Sequence, residues 1–321
     1  MMTTQEDYNI NLAESQPIKA KLKKLAKKKA FNSIIIEFLK NAEGVWNNEE
    51  RAKRIEDCAT KVGLTEKDGK VLFTHANFCR DRLCNVCAWR RQVKFLAQTS
   101  PIIDILHQRG YQFIFATITI ENVSEKEVEK GLDKLLLSYN KLIKQRKIQR
   151  SWEGTVRSVE ITYNEEKDTY HPHLHLLIAV KSEYFHDKKL YVSQGELKKR
   201  WKELTGLENP VIDIRTIYGH KTDAELETIK YALKPSKNEK ALTVFATKLK
   251  NRRLISFTGV FADIRKALKL TPIEEIEQNE ILSQGEKINS ILFEFDATGG
   301  IYNYYKTIEF INEKNTKGMI Y

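Results

Sequence analysis

The 321-residue chain has no run of the roughly 18 or more consecutive apolar residues that a membrane-spanning helix requires. Its opening residues, MMTTQEDYNINLAESQP, lack the apolar core of a signal peptide, so secretion is not expected. Cysteine is scarce: four residues in a chain of this length do not make a disulfide scaffold. No internal repeat marks a stacked array. These absences favour a reducing cytoplasm and no membrane partner.

What is present describes a folded, basic protein. Hydrophobic residues make up 41% and aromatics 10%, which excludes global disorder. The length allows one large or two to three small domains. Lys and Arg number 54 against 43 Asp and Glu, a formal charge of +11. That excess favours a polyanionic partner, nucleic acid first and an anionic membrane surface second, although a lysine-rich genome gives the same bias.

Four regions are distinguishable. Residues 1–50 are a basic helical segment in which KAKLKKLAKKKAF (19–31) carries seven lysines. Residues 51–100 hold the cysteines and end in the helical stretch AWRRQVKFLAQ. From 105 to 268 strands appear: YQFIFATITIEN, a helix after a Ser/Glu capping box, then TVRSVEITYNEEKDTYHPHLHLLIAV, a β-hairpin about NEEKD. The order from 111 to 234, β-α-β-β-α-β-α, predicts an α+β fold. It has a central antiparallel sheet flanked by helices and is preceded by the helical, cysteine-rich region. Residues 269–321 form an extension to which no role is assigned.

Three constellations carry chemistry. In YHPHLHLLIAV, His173 and His175 are two residues apart on a strand, so both imidazoles project from one face about 7 Å apart and can share a divalent ion. Satisfied structural histidines are the alternative, but two on an otherwise apolar strand are costly without a ligand. A hard ion also wants a carboxylate. If the hairpin pairs symmetrically about its turn, Glu160 lies opposite His173, whereas a one-residue slip sends it to the other face. His171 orients the site or faces solvent.

In DAELETIKYALKP (223–235), Leu226, Ile229 and Leu233 form a buried stripe. Glu227 and Tyr231, one turn apart, share another face with Lys234, and Lys230 is nearby. These are the parts for attack on phosphate, yet on this helix alone a solvated stripe explains them better. In the third constellation, Cys84-x2-Cys87 with Cys79 and Cys58 can close a structural Zn²⁺ site, with His75 an alternative to Cys58 and reduced buried thiols the plain reading. Arg80, Arg82, Arg90 and Arg91 around this knuckle suit phosphate contacts.

Taken together, FATITIEN, EITYN…HPHLHLLIAV and ELETIKYALK, in that order, resemble the three motifs of rolling-circle replication initiators of small Gram-positive plasmids, within the HUH endonucleases. NFCRDRLCNVCAWRR resembles the FCxxRLCPxCxWRR segment of that family, with Asn85 in place of proline. The resemblance covers roughly residues 50–265. It implies a five-stranded antiparallel sheet and Mg²⁺ or Mn²⁺ as the working ion. His173 and His175 would be ligands, Glu160 the third as in HUH proteins generally, Tyr231 the nucleophile and Glu227 the base that activates water in termination. Lys230 and Lys234 would contact DNA. The expected activity is site-specific nicking of single-stranded or extruded hairpin origin DNA through a 5′-phosphotyrosine, followed by strand transfer, with a host helicase as partner. Competing readings are a relaxase or transposase, a non-catalytic zinc-containing DNA-binding protein, and a metallohydrolase that does not act on DNA.

Overall fold

The computed structural model describes residues 15–217, 238–249, 252–275 and 287–311. Its described residues form two compact units. One is drawn from the chain up to Lys94 together with the chain from Thr271 onward, the other from Phe95–Leu270.

The first unit opens with three helices. In α1 (Gln16–Ala30) the Ser15 hydroxyl accepts from the Ile18 amide, and Ile18, Leu22 and Leu25 are buried at helical spacing while most of the lysines face outward. Helix α2 (Asn32–Asn41) buries Ile35, Phe38 and Leu39, and α3 (Asn48–Asp57) buries Ala52 and Ile55. Strands β1 (Lys61–Lys67) and β2 (Lys70–Ala76) form a hairpin. Its two-residue turn, Asp68–Gly69, has positive φ at both positions (52° and 70°), the backbone that an Asp-Gly pair favours. Helix α4 (Asn85–Gln108) follows, with residues 85–94 in this unit.

The second unit contains the expected central sheet. Strand β3 (Tyr111–Thr119) leads to α5 (Val128–Leu142), whose approach is set by the predicted capping box: the Ser124 amide donates to the Glu127 carboxylate at 3.3 Å. Short helix α6 (Arg146–Ser151) precedes the hairpin of β4 (Gly154–Asn164) and β5 (Thr169–Lys181). Then come α7 (Gln194–Thr205), β6 (Ile212–Ile217), α8 (Glu239–Thr247), β7 (Ile255–Gly259) and α9 (Val260–Ala267). The strand order is β6-β3-β5-β4-β7 with every neighbour antiparallel. Histidine-bearing β5 is the middle strand.

Alternation gives this sheet two unlike faces. One carries Ile114, Ala116 and Ile118 of β3, Leu174, Leu176 and Ile178 of β5, and Val159 and Ile161 of β4, all buried. Helix α5 packs against it, with the Tyr139 hydroxyl bonded to that of Thr155. The opposite face is apolar at one end only. There Phe113 meets His107 of α4 (4.8 Å) and Phe261 of α9 (6.1 Å), and Phe257 meets Phe95 (6.1 Å). Its other end carries Thr117, Thr119, Glu160, His173 and His175.

The C-terminal strands β8 (Lys287–Asp296) and β9 (Ile301–Ile311) belong to the first unit. Strand β8 pairs antiparallel with β1, from Lys61↔Glu294 to Leu64↔Ile291, giving the order β2-β1-β8-β9. The extension therefore supplies two of the four strands of this sheet. Gly63 sits on β1 between its two neighbours, where a Cβ would run into the side chains of Thr74 on β2 and Ser290 on β8, two buried hydroxyls bonded to each other. No helix among the described residues is long and apolar enough to cross a membrane. Replacing Gly63 with valine should lower the unfolding free energy by about 1–3 kcal/mol through overpacking, read by urea denaturation.

Candidate active site

The hairpin pairs Glu160 with His173 and Ser158 with His175, the symmetric one of the two registers that the sequence left open. Glu160 Oε2 then lies 2.8 Å from His175 Nε2 and 3.3 Å from His173 Nε2. Glu160 and His173 are buried, while His175 is partly open to solvent. Each imidazole is held from its other nitrogen. His173 Nδ1 is 3.1 Å from the His171 carbonyl oxygen, and His175 Nδ1 is 3.1 Å from the Thr117 hydroxyl on β3, the residue paired with it across the sheet. Phe115 stacks on the His175 ring with centroids 5.6 Å apart.

These contacts determine what the cluster can hold. A carbonyl oxygen only accepts, so a neutral His173 carries its proton on Nδ1 and turns the Nε2 lone pair towards the Glu160 carboxylate. Two acceptors then face each other at 3.3 Å, an arrangement that a proton or a cation between them must relieve. The three ligand atoms lie within 4.8 Å of one another. Octahedral coordination with bonds of about 2.1 Å separates adjacent ligands by about 3 Å, close to both Glu160 distances. The two imidazoles and the carboxylate therefore fit a divalent ion. Second hydrogen bonds of this kind are what orient histidine ligands. Thr117 went unnoticed in the sequence; its signal was a hydroxyl in the apolar strand FIFATITI, in step with Thr119 on the histidine face. His171 contributes its backbone carbonyl. Burial, and then the neighbouring His173, lower the pKa of its ring.

Tyr163 and Tyr170 project to the opposite face from the histidines. The Tyr163 hydroxyl donates to Asp168 at 2.7 Å, which raises its pKa, and burial raises that of Tyr170. Tyr218, Glu227, Lys230, Tyr231 and Lys234 lie outside the described residues.

In the first unit Cys58, Cys79, Cys84 and Cys87 come together, three of them buried. His75 is exposed and is not part of this group. The arginines around the knuckle divide. Arg80 is exposed and Arg82 half-buried. Arg90 and Arg91 are 4% and 3% exposed, which corrects their expected role in phosphate contacts. The Arg90 guanidinium lies over the rings of Phe73 (4.9 Å) and Phe78 (5.4 Å). Arg91 donates to the carbonyl oxygens of Arg80 (2.5 Å), Asp81 (3.2 Å) and Glu274 (3.4 Å). Both serve the interior because a helix starting at Asn85 turns these two positions inward.

A family model described as "Replication protein" matches residues 70–305. The chain belongs to this family. A Protein rep from Streptococcus pneumoniae is 36% identical over 258 residues, covering 74% of this chain and 80% of that protein. A Protein rep from Bacillus amyloliquefaciens is 31% identical over 95% of this chain and 99% of its own length. One from Staphylococcus aureus is 35% identical over 67% and 94%. No solved structure matches this chain significantly. As a member of the replication-protein family, the chain is a plasmid replication initiator, the rolling-circle class that its motifs resemble. Arg91→Met should cost about 1.5–3 kcal/mol of stability, as loss of a charged hydrogen-bond donor does, measurable by urea unfolding without DNA.

Proposed function

We propose that this initiator nicks its origin by metal-dependent attack of a tyrosine on a phosphodiester. The observation that carries the reading is the Glu160–His173–His175 cluster, a carboxylate and two oriented imidazoles on the polar end of one sheet face. The carboxylate oxygen suits a hard divalent ion, and the choice of Mg²⁺ or Mn²⁺ follows the family resemblance. Such an ion, when bound, polarises the scissile phosphate and offsets the charge that builds on its oxygens. His173 and His175 would hold it with Glu160, and the His171 carbonyl and Thr117 keep both rings from rotating.

Tyr231 is the proposed nucleophile. Its oxygen attacks phosphorus in line, the P–O bond to the 3′ oxygen breaks, and a 5′-phosphotyrosine and a free 3′-OH result. The 3′-OH primes synthesis, and the conserved ester energy allows a later strand transfer to rejoin the ends. The assignment rests on the family motif, supported by the orientation of Tyr163 and Tyr170 away from the histidines. Glu227, four residues before Tyr231, is the proposed general base for water in the terminating cleavage. Arg80, Lys230 and Lys234 are proposed contacts to the DNA backbone. A host helicase is the expected partner for unwinding.

The test incubates the protein and Mn²⁺ with a single-stranded oligonucleotide spanning its origin. A denaturation-resistant protein–DNA adduct should form, and Tyr231→Phe should reduce it at least a thousandfold; an undiminished adduct in that variant assigns the nucleophile elsewhere. Glu227→Ala should still nick but accumulate adduct that is not hydrolysed, visible on denaturing gels. Thr117→Val keeps the side-chain shape and removes the partner of His175 Nδ1. It should weaken Mn²⁺ binding by about 10–100-fold in calorimetric titration.

A further inference from the structure

The four cysteines of the first unit are arranged for a different ion. Their Sγ atoms lie within 4.8 Å of one another, and the Cys58–Cys87 and Cys79–Cys87 separations are both 3.7 Å. A disulfide needs about 2.05 Å, so neither pair is bonded. A tetrahedron built on Zn–S bonds of about 2.3 Å has edges of about 3.8 Å, which the two measured separations match.

The surroundings supply donors aimed at sulfur. The Cys79 amide points at Cys58 Sγ (3.4 Å), the Arg80 amide at Cys87 Sγ (3.2 Å), and the Asn32 carboxamide nitrogen at Cys84 Sγ (3.3 Å). Thiols are weak acceptors, whereas thiolates reward such N–H groups. The residues immediately after Cys58 and Cys79, Ala59 and Arg80, have left-handed backbone (φ 55° and 62°). Residues with side chains avoid that region unless their surroundings over-determine it. Lys29, only 8% exposed, donates from Nζ to the carbonyl oxygens of Glu56 (2.6 Å) and Cys58 (2.8 Å). A buried ammonium at the rim of the sulfur cluster, near Asp57 as well, is matched by negative charge on the sulfurs.

We propose that Cys58, Cys79, Cys84 and Cys87 bind one structural Zn²⁺ as thiolates, with Asn32 as a positioning residue for Cys84 and Lys29 offsetting the surplus negative charge. Binding releases the thiol protons to solvent and forms four Zn–S bonds. Soft sulfur disfavours the hard ions proposed for the Glu160 centre and favours Zn²⁺. The ion joins the end of α3 (Cys58), the segment after β2 (Cys79) and the start of α4 (Cys84 and Cys87), and Asn32 ties α2 to them. It therefore clamps the base of the β1–β2 hairpin and its surrounding helices.

This assignment does not depend on the nicking mechanism, and its test is kept separate by removing the other centre. Full-length protein carrying His173→Ala and His175→Ala is purified without chelator, and its metal is counted by mass spectrometry. About one zinc per chain is expected, and exchange with Co²⁺ should give a sulfur-to-cobalt charge-transfer band with intense tetrahedral d–d absorption. Absence of zinc with four freely reactive thiols, or a cobalt spectrum lacking the thiolate band, overturns the proposal. Asn32→Asp, made in the same background, keeps the oxygen that accepts from the Asn85 amide (2.8 Å) but sets a carboxylate against Cys84. It should release zinc to a chelator at least tenfold faster; an unchanged rate removes Asn32 from the site.

Discussion

The pairing of β4 with β5 is the constraint on which the candidate site depends. Side chains alternate along a strand, so a slip of one residue would send Glu160 to the α5 side and leave the histidines facing an apolar row. What holds the register is the other face. Leu174, Leu176 and Ile178 lie beside Val159 and Ile161 beneath α5, each fully or almost fully buried. Turning such a row to solvent would forfeit roughly 2 kcal/mol for each large side chain. The turn supports the same register, with the Asn164 side chain accepting from the Lys167 amide at 3.0 Å inside the loop. The hydrophobic half of the sheet thus aligns the polar half.

That alignment brings a carboxylate and two imidazoles together, with the Nε2 lone pair of a neutral His173 turned to the Glu160 carboxylate, a contact that a cation or a shared proton relieves. The hydrogen-bond pattern adds what residue type does not, because the His171 carbonyl dictates which nitrogen of a neutral His173 faces Glu160. The same reasoning separates the basic residues of this chain. A net charge of +11 points to a polyanion, but Arg90 and Arg91 are spent on aromatic rings and backbone carbonyls inside the first unit. Charge on a sequence identifies a candidate surface only after burial is known.

The first unit is closed by residues far apart in the chain. Strand β1 is flanked by β2, its hairpin partner, and by β8, more than two hundred residues later. The Tyr302 hydroxyl on β9 donates to the carbonyl oxygen of Ala59, beside the cysteine cluster. A fold completed so late along the chain gains from a second tie among its earlier elements, which the four sulfurs are placed to provide.

Local periodicity was enough to locate the histidine strand, the hairpin, the Ser124–Glu127 cap and the Cys84-x2-Cys87 knuckle, because each is written in residues a few positions apart; the Glu160 pairing followed only on the assumption of a symmetric hairpin, and the structure decided it. Tyr231 and Glu227 were legible only as a family motif; their helix pattern alone favoured a solvated stripe. Tertiary packing decided the rest. It chose Cys58 over His75, made Thr117 the partner of His175, turned Arg90 and Arg91 inward, and set the tail strands against β1. None of these has a local signature, since each depends on which distant surfaces meet, and sequence spacing carries no information about that.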